Sequence, residues 1–314
     1  MNLLATMIPI ALVYATPIVI AALGGLFSER SGIVNIALEG IMMVGAFSAA
    51  AVTVALEPSP LAGWLGVLVA VVAGVTFSAL HAFASIHLRA DQVVSGTALN
   101  ILAGGLTVYL CQIFFDQQRT GAFATGLAKV SIPGLAAIPA LGAVLFRNVY
   151  PTTYLALGLV VITWFVVYRM PLGLRLLACG EHPQAAASAG IDVLGMRYLG
   201  VLVSGGLAGL AGAAMVLTQD IQYTVGSVHG TGFIALACLI FGKWNPFGAL
   251  GAGLFFGLSQ ALAIYAKDIP FLQAIPQDFF HLLPYALTVV ALVVFSGKSV
   301  GPRAAGEPYD PGRR

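Results

Sequence analysis

The sequence predicts an all-α protein, a polytopic transmembrane helical bundle of about nine spans (eight to ten), with the N-terminus outside and the C-terminus inside. Composition is the first reason: 59% of the 314 residues are hydrophobic, 8% are charged, and the mean hydropathy is +0.96. Soluble domains carry roughly 25% charged residues, and too little polar surface remains here to cover so much apolar material. The second reason is a succession of apolar stretches of about 20 residues, the length that crosses a bilayer.

Nine stretches have the length and apolar character of spanning helices. They lie at 4–27, 33–56, 61–87, 93–115, 152–170, 198–218, 229–243, 246–266 and 278–296. The seventh is short and has glycines at and near both ends, so it is predicted to be broken or partly re-entrant, which requires protein or a cavity around its backbone. The first apolar run precedes every Lys and Arg, unlike a cleaved signal peptide, and is predicted to remain as a span.

The distribution of Lys and Arg predicts the orientation, because these residues accumulate on the cytoplasmic side. If the segment 171–197 is cytoplasmic, alternation of the spans puts ten of the 14 Lys and Arg inside and four outside. Residues 1–297 are then one transmembrane domain. Residues 298–314 form a cytoplasmic tail that is predicted to be disordered, since it has few apolar residues and several Pro and Gly.

One predicted span contains polar residues that lipid would not accept. In the run ERSGIVNIALEGIMM, Asn35 and Glu39 are four residues apart and would share one face of the helix predicted over 33–56. A carboxylate at mid-bilayer costs about 2.5–3.5 kcal/mol on insertion scales, so this face should meet protein or water. Asn35 either lines a path across the membrane or holds a neighbouring helix. For Glu39, bracing of the path is favoured over direct contact with a transported molecule.

A second polar face lies in the run SGTALNILAGG. Gly96, Asn100 and Gly104 are spaced by four residues, and Thr97 lies three residues before Asn100. This spacing suits close helix packing with one amide available for hydrogen bonding. Lining of a path and helix-to-helix bonding again both remain open for Thr97 and Asn100.

The segment 171–197 predicts a short helix between two spans. Within GEHPQAAASAGI, Pro183 suits a first turn, Glu181 suits the positive end of a helix, and Gly190 can close the last turn. Asp192 can cap the helix that follows. The short helix is either a smooth knob that seats in a cleft of another protein or an amphipathic surface helix on the lipid headgroups.

Several kinds of chemistry have no support in the sequence. Gly297-Lys298-Ser299 imitates the end of a phosphate-binding loop, but the required upstream glycine is Leu292 and no strand precedes it. The three cysteines have neither metal-binding nor disulfide spacing. No constellation of acid, base and nucleophile is present, so the chain is predicted to be a transport protein and not an enzyme.

Four stretches in order carry a resemblance to a known family. They are ERSGIVNIALEGIMMVGAF, LRADQVVSGTALNILAGG, LGLRLLACGEHPQAAASAGID and FGKWNPFGALGAG. Together they resemble the permease subunits of bacterial ATP-binding cassette importers, in the nucleoside-type branch of the ribose and branched-chain amino acid permease family. The stretch that begins at Gly32 reads Gly-Ile-Val-Asn-Ile where the sugar branch carries a Gly-Ile-Asp-Leu-type motif, which favours the nucleoside branch.

The resemblance implies a function, partners and a location. Such a chain is a multi-pass subunit of the bacterial inner membrane, paired with a second, usually different permease. A cytoplasmic ATPase binds ATP and Mg²⁺, so no cofactor is expected in this chain, and a periplasmic protein or lipoprotein delivers the substrate. By position, the helix that couples to the ATPase comprises Glu181, His182, Pro183, Gln184, Ala185, Ala186, Ala187, Ser188 and Gly190. The polar faces described above, and not the resemblance, assign the substrate path to Asn35, Glu39, Thr97 and Asn100.

Two further hypotheses belong beside this interpretation. Within the family, the substrate could instead be a monosaccharide such as ribose, or a branched-chain amino acid. From a different class, the chain could be a stand-alone secondary transporter that uses Glu39 as its proton or sodium site. The secondary transporter is disfavoured because the sequence has only one such carboxylate well inside a predicted span and no matched pair of broken helices.

Overall fold

The computed structural model describes residues 3–124, 126–133, 136, 142, 146–266, 279–280, 282, 286, 289–290, 293, 301–310 and 312. Its helices are α1 (Leu3–Arg30), α2 (Leu38–Leu56), α3 (Ala62–Ala82, continued by a π-helical turn Phe83–His87), α4 (Gln92–Phe115), α5 (Pro151–Arg169), α6 (Pro171–Glu181), α7 (Pro183–Ser188), α8 (Val193–Gln219), α9 (Thr231–Phe241) and α10 (Pro246–Tyr265).

Within these described ranges, seven helices are long and apolar enough to cross a membrane. They correspond to seven of the nine predicted spans. The predicted seventh span is the 11-residue helix α9, which is too short to cross alone and confirms that this stretch is not an ordinary span. The predicted ninth span, 278–296, lies mostly outside the described residues.

The two ends of the bundle are distinguished by their connections. One end, which we call the basal face, is formed by residues 29–32, 170–192, 242–245 and 301–310. These segments contact one another through backbone hydrogen bonds and side chains. The opposite end, the apical face, is formed by residues 57–61, 116–124, 126–133, 146–150 and 220–224. Helix α8 runs from the basal to the apical face through the middle of the bundle.

Helices α1, α2, α3 and α8 cross closely because glycines and alanines stand where they meet. A Cβ added at Gly209 would collide with the backbone oxygen of Ala70, and one added at Gly74 would collide with that of Gly205. On the other side, Gly257 packs against Ala11 and Ala15 of α1. Glycines at these positions therefore let the helix backbones approach closely.

The tail differs from its prediction. Residues 301–310, assigned by composition to a disordered segment, lie against the basal face, where Pro302, Ala304 and Tyr309 are buried. Their low hydrophobicity did not prevent ordering, because backbone hydrogen bonds and a buried arginine on the bundle hold them.

Candidate functional site

The connection between α1 and α2 is not helical. The sequence predicts a helix over 33–56, but α2 begins only at Leu38, and residues 31–37 form an irregular segment. We call this segment the buried connection, since Ile33, Asn35 and Ala37 are fully inaccessible. Asn35 and Glu39 therefore do not share a helical face, and the prediction that they do is wrong.

Side chains from other helices satisfy the backbone of the buried connection. The Val34 N–H donates to Gln92 Oε1 at 2.7 Å, and the Val34 carbonyl lies 3.1 Å from His81 Nε2. The Ile33 carbonyl accepts from Ser28 Oγ at 2.7 Å, and the Ile36 carbonyl accepts from Asn100 Nδ2 at 3.0 Å. Irregular backbone at membrane depth requires such partners, because lipid offers none.

Contacts with α8 show how far the buried connection penetrates. Gly32 lies against the guanidinium of Arg197, whereas Asn35 Nδ2 donates to Ser204 Oγ at 2.9 Å. Ser204 is seven residues beyond Arg197 in α8. Because a helix rises about 1.5 Å per residue, the buried connection extends about 10 Å into the bundle. Helix α2 consequently begins inside the bundle and not at its surface.

Glu39 stands in the first turn of α2 and binds the beginning of α9. Its carboxylate accepts from the Gly230 N–H at 2.8 Å and from the Gly232 N–H at 2.7 Å. The N-terminus of a helix carries unpaired N–H groups and a partial positive charge, which a carboxylate satisfies. Gly232 also packs so closely on the Glu39 backbone that a Cβ there would lie 2.6 Å from Glu39 Cα. Glu39 thus joins the starts of two helices that both begin within the bundle.

The four residues assigned to the path divide into two groups. Asn35, Glu39 and Asn100 lie around the buried connection, where Asn100 also accepts from the Gly40 N–H through Oδ1 at 2.8 Å. Thr97 is apart from them, because it is exposed on the outer side of α4 and its hydroxyl donates to Val93 in its own helix.

Several residues of this site were missed in the sequence. His81 Nδ1 lies 3.1 Å from Ser95 Oγ while Nε2 faces Val34, so this histidine bridges α3, α4 and the connection. Gln92 and Ser204 were likewise not predicted. The available signal was the presence of polar side chains within apolar spans, which is costly without a partner.

The segment 171–190 of the basal face contains two helices, α6 and α7, where the sequence predicts one short helix. Helix α6 ends at Glu181, whose carboxylate lies 3.8 Å from Arg30, and α7 starts after His182. Gly190 has φ +81°, as expected for a glycine that ends a helix, and Asp192 Oδ1 caps α8 by accepting from the Gly195 N–H.

The predicted coupling residues present one outer and one inner face. His182, Gln184, Ala185, Ser188 and Gly190 are exposed, and Glu181 and Ala187 are partly exposed. Pro183 and Ala186 are buried, and Ala186 packs with Cys179, Val193 and Tyr309. Only the exposed group is available to another protein.

Seven long apolar helices of the described residues surround a buried polar connection, which is the architecture of a multi-pass membrane protein. The chain belongs to the family described as branched-chain amino acid transport system permease component, whose family profile matches residues 7–292. It is therefore a transport subunit and not an enzyme.

Individual relatives resemble the chain over most of its length. The guanosine ABC transporter permease protein NupQ of Bacillus subtilis is 45% identical, over 100% of this chain and 99% of the relative. The nucleoside ABC transporter permease protein NupC of Lactococcus lactis is 40% identical, over 98% of both chains. The putative glucose ABC transporter permease protein TsgC13 of Haloferax volcanii is 37% identical, over 81% of this chain and 76% of the relative.

Proposed function

We propose that this chain is the permease subunit of an ATP-driven importer that moves nucleosides into the cell across the bacterial inner membrane. The assignment of nucleosides as the substrate is supported by two full-length relatives, at 45% and 40% identity, which are named for guanosine and nucleoside transport. ATP and Mg²⁺ are bound by a separate ATPase. A second permease chain completes the pathway, and an extracellular or periplasmic protein delivers the substrate.

The basal face is the cytoplasmic face in this proposal. Among the ten Lys and Arg of the described residues, seven lie toward the basal face and three toward the apical face. The basal ones are Arg30, Arg89, Arg169, Arg175, Arg197, Lys243 and Arg303. An excess of this kind is typical of the cytoplasmic side. The same face carries the exposed side of α7, where the ATPase docks.

The buried connection is the part of the chain that we assign to the transport path. Asn35 Oδ1 and Gln92 Nε2 are buried, and neither has a hydrogen-bond partner among the described residues. Buried polar atoms without a partner are unfavourable. When the helices separate, the Asn35 oxygen and the Gln92 amide nitrogen are suited to hydrogen-bond a polar solute, such as the ribose of a nucleoside. Glu39 braces this region through α9 without offering a free carboxylate oxygen.

A monosaccharide is the second candidate substrate, since TsgC13 is named for glucose. The stand-alone secondary transporter is less consistent with the geometry. An ion site needs carboxylate oxygens that are available to the ion, but both oxygens of Glu39 accept backbone N–H groups of the α9 N-terminus.

Uptake into proteoliposomes tests the substrate and the energy source. They contain this chain, the second permease and the ATPase, with binding protein outside and ATP inside. We expect uptake of labelled nucleoside that requires ATP and is inhibited by unlabelled nucleoside but not by ribose, glucose or leucine. Inhibition by one of those competitors would reassign the substrate, and uptake without ATP would refute the importer.

A matched pair of substitutions tests the docking surface. Ala185→Trp places a bulky ring on the exposed side of α7, and Ala122→Trp makes the same change at an exposed alanine of the apical face. We expect Ala185→Trp to reduce co-purification of the ATPase at least about tenfold, since a misplaced bulky side chain at an interface costs more than 1.4 kcal/mol. Equal co-purification of both variants would contradict the proposal. Ala186 is unsuitable for this test because it is buried.

A further inference from the structure

Residues 301–310 cross the basal face and contact three separate elements in turn. The Ala304 N–H donates to the Gly180 carbonyl of α6 at 2.9 Å. The Gly306 N–H donates to the Gly32 carbonyl of the buried connection at 3.2 Å. The Glu307 carbonyl accepts from Arg197 Nη1 of α8 at 2.9 Å. We call residues 301–310 the basal strap.

Arg197 is the point where the strap, α8 and the buried connection meet. Its side chain is 1% exposed, which is exceptional for an arginine. Its guanidinium lies 5.8 Å from the centre of the Tyr309 ring, within reach of a cation–π interaction, and on its other side it packs against Gly32. Nε and Nη2 find no acceptor in the described part of the chain, so the favourable contacts of this charge come largely from the strap.

Tyr309 also reaches the inner face of α7. It shares a buried cluster with Cys179 of α6, Ala186 of α7 and Val193 of α8. Tyr309 therefore shares one cluster with the side of α7 that faces the bundle, and its ring lies near the arginine that packs against Gly32. The outer end of the strap is held more weakly, because Asp310 pairs with Arg89 at 3.1 Å where both side chains are about half exposed.

We propose that the basal strap transmits the movement of α7 to the buried connection, with Tyr309 and Arg197 as the positioning residues of this link. The proposal rests on the proposed function, in which α7 receives the ATPase. A displacement of α7 would carry Tyr309 with it, and through Arg197 and the Gly306–Gly32 hydrogen bond would pull on the start of the transport path.

The contact itself can be tested without any transport measurement. Cys179 belongs to the same buried cluster as Tyr309 and is fully inaccessible, and burial raises the pKa of its thiol. In a chain carrying Cys111→Ala and Cys238→Ala, Cys179 is the one remaining thiol. We expect slow reaction with a water-soluble maleimide, about tenfold faster reaction in Tyr309→Ala, and no change in Tyr309→Phe, which keeps the ring. An unchanged rate in Tyr309→Ala would refute the strap contact.

The coupling role is tested in the complete importer by the ratio of substrate uptake to ATP hydrolysis. We expect Tyr309→Ala to retain stimulated hydrolysis while the ratio falls at least about threefold, because the ATPase would move α7 without moving the path. Tyr309→Phe should keep the wild-type ratio. A ratio that is unchanged in Tyr309→Ala would overturn the proposal, since a merely structural contact would lower both activities together.

A cross-linking experiment tests the strap proposal even if the Tyr309→Ala variant does not accumulate in the membrane. In a chain carrying Cys111→Ala, Cys238→Ala and Tyr309→Cys, a short bis-methanethiosulfonate joins residue 309 to Cys179 through two disulfides, which reduction cleaves, and fixes the strap to α6. A transmitting strap stays attached throughout the cycle, so the cross-linked importer should retain its ratio of uptake to hydrolysis. Loss of uptake that reduction restores would instead show a strap that must detach. Wild-type importer that moves no nucleoside would refute the proposed substrate alone, because the Cys179 reaction is independent of it.

Discussion

Glu39 and Asn100 illustrate how polar side chains are used inside this bundle. Each of them bonds two backbone groups outside its own helix: Glu39 accepts from Gly230 and Gly232 at the start of α9, and Asn100 bonds Ile36 and Gly40. Removing such a side chain leaves two buried groups without a partner, which is more costly than the loss of one ordinary hydrogen bond. Their contribution is therefore expected to appear in stability before it appears in substrate affinity.

For Glu39 we expect stability to fall in the order wild type, Glu39→Gln, Glu39→Ala. Glutamine keeps one oxygen for an N–H of α9 and should cost about 1–2 kcal/mol, whereas alanine keeps none and should cost about 2–4 kcal/mol. Thermal unfolding of the detergent-solubilised chain measures this order. Asp116→Asn, at an exposed position, is the control and should change little. Wild-type stability of Glu39→Gln together with lost transport would mean that the carboxylate serves the substrate or an ion.

Asn100 and Thr97 allow a comparison within one helix. Asn100→Leu removes the bond to the Ile36 carbonyl of the buried connection and the bond from the Gly40 N–H of α2, and should destabilise the chain by about 2–3 kcal/mol. Thr97→Val removes only a bond within α4 on an exposed surface and should stay within about 0.5 kcal/mol. Unfolding midpoints of the two purified variants are the measurement. Similar values for both would contradict the assignment of Asn100 to the buried connection.

At the scale of elements, the glycines divide into those that permit a helix crossing and those that face outward. Gly209 of α8 touches the backbone of α3, and a Cβ there would lie 3.2 Å from Gly74 Cα. At Gly158 of α5, no atom of another described element lies within 4 Å of the corresponding position. The same substitution should therefore have opposite consequences at the two sites.

We expect Gly209→Ala to lower the stability of the purified chain by about 1–3 kcal/mol, because the helices would have to separate. Gly158→Ala should be neutral or should stabilise α5 by up to about 1 kcal/mol through its helix propensity. Chemical or thermal unfolding in detergent distinguishes these results. If Gly209→Ala were as stable as Gly158→Ala, the close α3–α8 crossing would be refuted.

Among the helices and connections, some could be predicted from the sequence and others could not. Seven long spans and the short α9 follow from local composition and length. The break before Leu38 does not, because the residues that satisfy Val34 and Ile36 are 47 to 64 positions away in α3 and α4. The order of the strap depends in the same way on Arg197, which is 110 positions from Glu307.

For the whole molecule, the two faces play different parts. The apical face closes over α2, α4 and α8 through backbone bonds such as Thr120 to Tyr223 at 3.0 Å. The basal face instead brings together α7, the buried connection, the turn after α9 and the strap. Elements that could respond to an ATPase are thus concentrated at one end, and that end has the excess of Lys and Arg.

The orientation of the chain is therefore a prediction about the whole molecule. In a background without cysteines, Ala122→Cys reports on the apical face and Ala185→Cys on the basal face, and both positions are exposed. A membrane-impermeant maleimide should label Ala122→Cys in intact cells and Ala185→Cys only in inverted vesicles, since the face richer in Lys and Arg is retained inside. The reverse pattern would place α7 outside, where no ATPase could reach it. That result would refute the proposed coupling, while the helix contacts described here would stand.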